Sequence, residues 1–189
     1  MQITDNLKND ISDAPSWFHD AINIKPSEKI LKDAKGNLSY SVWPSLSENK
    51  NLMIFIHGTG AHKKWWYPIA PQFVNYSNVI AVDLPGMGDS GFREKYSIKD
   101  FGQCIISIIE KEKSNMNIDN ISIIGHSLGG QVAGYVASEE KNLVSNLIMI
   151  DTFIRPPDWD PSQNEGGPLR MIKYYPDKTT ILKRFRLLP

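Results

Sequence analysis

Between residues 52 and 150, short apolar runs alternate with helical stretches, and no other feature narrows the fold of this 189-residue chain as far. Leu52 to His57 and Val79 to Val82 are continuous apolar runs bounded by loop signals, the pattern of strands buried on both faces. Ile118 to Ile124 and Leu147 to Ile150 read the same way. Ser97 to Lys113 puts Ile98, Phe101, Ile105 and Ile108 on one helical face, with Ser97 and Asp100 as an N-terminal capping pair, and Leu128 to Glu140 reads as a further helix. Strand and helix in alternation predict an α/β chain whose mostly parallel central sheet carries helices on both faces.

The flanking segments are less regular. Residues 1–27 form an N-terminal extension with room for one short helix, and residues 28–154 form the core. Within the core, Asn37 to Trp43 alternates like an exposed edge strand after a Lys-Gly-Asn turn, and Trp65 to Tyr76 is helical in pieces separated by Pro68 and Pro71. Beyond it, Arg155 to Pro168 is rich in proline and reads as a loop, and Leu169 to Leu188 is basic and helical in two pieces.

Composition excludes several classes of function. Lys and Arg total 21 against 21 Asp and Glu with no long block of one sign, so neither nucleic acid nor an anionic membrane surface is expected as a partner. A small-molecule substrate is expected instead. Cys104 is the single cysteine and the first thirteen residues lack the basic-then-apolar layout of a secretory signal, which points to the cytoplasm. No apolar run approaches the ~20 residues that span a bilayer. No His/Cys/Asp cluster has metal-ligand spacing and no glycine-rich phosphate loop is present, so no metal and no cofactor are expected.

Open α/β sheets bind ligands at the carboxyl ends of their strands. Four segments fall there: His57-Gly58-Thr59-Gly60, the Asp-Leu-Pro-Gly-Met-Gly-Asp-Ser run from Asp83 to Ser90, Gly125-His126-Ser127-Leu128-Gly129, and Asp151-Thr152. The third puts a serine on a glycine-flanked turn where a strand hands over to a helix, a nucleophile elbow with Ser127 as the nucleophile. The backbone N–H after the nucleophile, that of Leu128, is one donor to a developing oxyanion.

In order and spacing these motifs resemble the α/β-hydrolase superfamily over roughly residues 36–152. The resemblance implies a serine hydrolase that cleaves an ester or similar small acyl substrate through an acyl-Ser127 intermediate. It also implies a second oxyanion donor from the backbone of Thr59 or Gly60. Asp151 is then either the acid that orients a histidine or a turn residue, and Trp65 and Trp66 are either substrate-pocket wall or helix-to-sheet packing. The base of this family is a histidine that follows the nucleophile and the acid in the chain, and no histidine follows His126. His57 is expected to be structural and His126 to pack, while His62 lies on the oxyanion side of the serine. By the same resemblance residues 155–189 begin a helical lid, the chain is a C-terminally truncated hydrolase that is inactive alone, and its exposed sheet edge invites self-association. Two other readings remain open: a non-catalytic binding module of the same fold, and a cofactor-free peroxidase or lyase of the same superfamily.

Overall fold

A computed structural model describes residues 11–154 together with 176, 177 and 180, and the elements below belong to the compact unit Pro15–Ile154. The loop, lid and terminal helices expected over 155–189 lie outside the described residues. Six strands form one sheet: β1 (Ser27–Asp33), β2 (Gly36–Trp43), β3 (Asn51–Ile56), β4 (Asn78–Val82), β5 (Asn120–His126) and β6 (Asn146–Ile150). Their order is β1-β2-β4-β3-β5-β6, and the run from β4 to β6 is parallel while β1 and β2 are antiparallel. Three helices accompany them: α1 (Ser16–Asn23), α2 (Ile98–Met116) and α3 (Leu128–Glu139).

Each central strand sorts its side chains by the two-residue period of a pleated strand. Leu52, Ile54 and Ile56 of β3, with Ile80 and Val82 of β4, join the core that includes Ile105, Ile109, Val132 and Val136 of α2 and α3. Phe55, Val79 and Ala81 point the other way, into a smaller core closed by Trp66, Ala70 and Val74. Trp65 to Tyr76, expected to be helical in pieces, contributes to two 3-10 turns, Lys63–Trp66 and Ala70–Phe73, that cover this second face. Pro71 lies inside the second turn, and a proline cannot donate to a regular helical ladder.

The expected edge strand is the clearest correction. Asn37 to Trp43 falls within β2, which is nearly all buried and lies between β1 and β4. The edge is β1, the Ser-Glu-Lys-Ile-Leu-Lys-Asp stretch, which turns into β2 through Ala34 and Lys35. At the other side of the described sheet, β6 leaves Leu147, Ile148 and Ile150 40–47% exposed. α2 begins as expected: Ser97 Oγ accepts the Asp100 N–H at 3.0 Å and donates to the Asp100 carboxylate at 2.5 Å.

Candidate active site at the carboxyl rim of the sheet

β5 ends at His126, and the next residue, Ser127, has φ +52° and ψ −116°, a conformation that side-chain-bearing residues rarely adopt. α3 begins immediately after it at Leu128, so the Leu128 N–H is one of the unpaired donors at a helix N-terminus. The Ser127 side chain caps nothing. Its backbone is held on both sides: the Ser127 N–H donates to Ile150 O at 3.0 Å, and its carbonyl accepts from Gly130 N at 3.0 Å. The turn closes this tightly only because of its glycines. A Cβ on Gly125 would meet the Gly129 carbonyl, and one on Gly129 would meet the Ile56 carbonyl oxygen.

The loop after β3 lies against this elbow. A Cβ on Gly58 would come within 3.2 Å of Ser127 Cβ and 2.9 Å of His126 Nδ1, so the bare backbone of Gly58 is what lets the two segments touch. Residues 58 to 61 form a β-turn in which Ala61 N–H donates to Gly58 O at 3.2 Å and Gly60 takes φ +73°. A type II turn needs such a residue at its third position. Thr59 and Gly60 are therefore the two central residues of a turn whose first residue, Gly58, lies against the serine, and Leu128 is the serine's next neighbour in the chain.

The four histidines of the chain are all described, and none is hydrogen-bonded to Ser127. His57 is fully buried, with Nδ1 2.8 Å from Gly58 O and Nε2 3.1 Å from Leu84 N. Leu84 N–H must donate, so Nε2 is the acceptor and the proton sits on Nδ1. Burial pushes the imidazole pKa down and keeps it neutral. Nδ1 is thus spent within the β3 loop and Nε2 stitches that loop to the β4 loop, the structural role expected from the sequence. His126 stacks on Trp65, with ring centroids 6.1 Å apart and planes 10° from parallel. His62 is exposed at the start of the first 3-10 turn, and His19 lies in α1.

Asp151 directly follows β6 on the same rim with φ +45°; its carboxylate is 92% exposed and 4.0 Å from His126 Nε2. The two tryptophans part company. Trp65 is 44% exposed and stacked over the residue preceding Ser127, whereas Trp66 is 6% exposed and packed 5.1 Å from Phe55. Trp66 therefore belongs to the packing alternative, and Trp65 is the one on the rim. Among the described residues no group of three or more His, Cys, Asp or Glu side chains could hold a metal ion, and no helix is long and apolar enough to cross a membrane.

One buried residue escaped the sequence reading. Lys63 is 1% exposed, and its ammonium bonds Ser39 Oγ at 2.7 Å, Asp83 Oδ2 at 3.0 Å and Asp89 Oδ2 at 2.7 Å, with Glu28 Oε2 at 3.4 Å. Burial works against its charge, but the hydrogen bonds it donates to Asp89 and Asp83 outweigh that and raise its pKa above the ordinary lysine value.

A family model for the alpha/beta hydrolase fold matches residues 51–184. The chain belongs to the α/β hydrolase fold family. Among its relatives is a pimeloyl-[acyl-carrier protein] methyl ester esterase from Pseudoalteromonas atlantica, 31% identical over 128 residues, which are 64% of this chain and 46% of the esterase. A soluble epoxide hydrolase from a Corynebacterium species is 30% identical over 104 residues, 52% of this chain and 34% of the hydrolase. In fold, the α/β hydrolase chain is similar to the thioesterase domain of a curacin biosynthetic pathway, with a TM-score of 0.61 over 74% of this chain and 50% of that domain at 23% identity. The chain thus spans less than half the length of the curated relatives it matches.

Proposed function

We propose that this α/β hydrolase acts on an ester or similar small acyl substrate, with Ser127 as nucleophile and an oxyanion hole made by the N–H of Leu128 and that of Thr59 or Gly60. The observation that carries the reading is the contact of the Gly58–Ala61 turn with a serine on a strained strand-to-helix turn. In acyl transfer, Ser127 Oγ bonds the carbonyl carbon, the hydroxyl proton passes to a base, and the alcohol leaves to give acyl-Ser127, which water hydrolyses. Removing one oxyanion donor typically costs ~2.7–4 kcal/mol of barrier. The esterase and thioesterase named above work on acyl substrates, which favours this class over the peroxidase and lyase alternatives.

With none of the four histidines bonded to Ser127, we take the general base to lie outside them, so the 189-residue chain acylates slowly and turns over little. In a comparable triad, loss of the histidine costs ~10⁶ in kcat while the hole and binding leave ~10³–10⁴ over water. Asp151 is proposed as the acid that orients a base, and Trp65 as pocket wall. The reading includes a cytoplasmic setting, supported by the single cysteine. The apolar exposure of β6 favours a second role as an association edge.

Mixing the chain with p-nitrophenyl acetate tests the proposal. It predicts a p-nitrophenol burst of at most one equivalent, with acetyl on Ser127 by peptide mass and neither seen in Ser127→Ala. An equal burst in Ser127→Ala would overturn the nucleophile, and steady turnover at the rate of an ordinary esterase would overturn the missing base.

A further inference from the structure

The turn that touches Ser127 is tied down at both ends to two consecutive residues of the β4 loop. At its entry, His57 Nε2 accepts the Leu84 N–H at 3.1 Å. At its exit, one residue beyond the turn and His62, the Lys63 N–H donates to Asp83 Oδ1 at 2.6 Å while the Lys63 ammonium bonds Asp83 Oδ2 at 3.0 Å. A single carboxylate therefore grips the backbone and the side chain of the same residue. The Asp83 carboxylate is itself fixed, because the Asp89 N–H donates to Oδ2 at 2.9 Å and Gly88 leaves it the space that a Cβ would fill.

A lysine need not be here for stability alone. Burying an ammonium costs solvation, and apolar residues often replace buried ion pairs without loss. What the ammonium adds is direction. Its three N–H donors are all used, on Ser39 of β2, Asp83 at the end of β4 and Asp89 in the loop after it, so the position of residue 63 is fixed relative to the sheet rather than merely covered. Glu28 of β1 completes the negative surround at 3.4 Å.

We propose that Lys63 is a positioning residue for acyl transfer: clamped by Asp83, it fixes the exit of the Gly58–Ala61 turn and so the aim of the Thr59 and Gly60 N–H groups at the oxyanion of a Ser127 adduct. The proposal rests on the reading of Ser127 as nucleophile. Misplacement of a reacting group by about 1 Å can cost ~10²-fold in rate. Freed at its exit, the turn shifts while the elbow and the strands stay in place.

The test uses the 189-residue chain and an alkyl fluorophosphonate, whose phosphoryl oxygen occupies the oxyanion position. The Ser127 Oγ–P bond forms as P–F breaks, fluoride leaves and the hydroxyl proton passes to solvent. The rate constant and the half-saturating probe concentration are read by intact mass and peptide mapping, and amide hydrogen exchange is followed at residues 58–62, β3 and β4. Lys63→Met is expected to slow Ser127 labelling ~10- to 100-fold with the half-saturating concentration changed less than about twofold, and to speed exchange in residues 58–62 but not in β3 and β4. Lys63→Arg, which keeps charge and donors, recovers part of the rate. Should Lys63→Met fail to fold, Asp89→Asn removes one exposed carboxylate from the clamp and is expected to slow labelling ~3- to 10-fold. Unchanged labelling in every variant that folds, or slower labelling accompanied by equal loss of protection across β3 and β4, overturns the positioning role while leaving the nucleophile intact. Absence of label on Ser127 in the unsubstituted chain overturns both.

Discussion

Replacing Ser127 by glycine should stabilise the fold relative to replacing it by alanine, the reverse of the usual order. At an ordinary position in a helix or strand, glycine is less stable than alanine by about 0.5–1 kcal/mol, because the unfolded chain gains freedom. Ser127 is held at φ +52° and ψ −116°, where any residue with a Cβ carries strain of about 1–3 kcal/mol. Alanine keeps that strain and glycine releases it. The serine hydroxyl makes no cap bond, so its deletion costs little in either variant. Strain near the upper end of its range, less the entropic term, leaves Ser127→Gly about 1–2 kcal/mol more stable than Ser127→Ala. At about 2–4 °C per kcal/mol for a chain of this size, the two melting points should differ by ~2–8 °C. Urea unfolding followed by circular dichroism, with equal m-values as a check, measures the difference. Ser127→Ala as stable as Ser127→Gly, or more so, would mean that the elbow stores no strain and that the handover from β5 to α3 has been misread.

Gly129→Ala should destabilise the fold by about 3 kcal/mol in the same assay, because the new Cβ meets backbone carbonyls of Ile56 and His57 that cannot rotate away; a loss under about 1 kcal/mol would refute the close approach. Glu112 is fully buried, bonded to Lys29 Nζ at 2.8 Å and Tyr40 Oη at 2.7 Å; burial raises its pKa, but these bonds prevail and hold it below the ordinary glutamate value of 4.5. A carboxyl with a lowered folded-state pKa contributes stability that is present above its unfolded pKa and lost as pH falls through the folded one. Denaturant titrations should therefore show stability falling below about pH 4.5, with a shallower fall in Glu112→Gln, and identical slopes would refute the pairing. Sedimentation of the chain should show concentration-dependent association that Ile148→Lys, at an exposed position of β6, weakens, and a monomer at every concentration would refute the edge proposal.

The rim was legible wherever its chemistry is written in contiguous residues. Gly125 to Gly129 announces its own turn, and His57 to Gly60 and Asp83 to Ser90 follow apolar runs that can only be buried strands. α2 was legible because Ser97 caps it and Ile98, Phe101, Ile105 and Ile108 repeat at helical spacing. β1 was not: its residues are charged on both faces, as an edge strand allows, so periodicity carried no signal, and β2 was mistaken for the edge in consequence. Lys63 was hidden for a different reason. Its partners Glu28, Ser39, Asp83 and Asp89 are spread over sixty residues of chain, and only the sheet order β1-β2-β4-β3 gathers them around the loop that follows β3. The division of labour between Trp65 and Trp66 likewise depends on which neighbour points into the 3-10 turn, which adjacency in sequence does not reveal.

A crystal structure of the chain after treatment with an alkyl fluorophosphonate tests the account most directly. It predicts phosphorus bonded to Ser127 Oγ, with the phosphoryl oxygen about 2.7–3.1 Å from the Leu128 nitrogen and at the same distance from the nitrogen of Thr59 or Gly60. An adduct on another residue, or one on Ser127 whose oxygen points away from the Gly58–Ala61 turn, would contradict it.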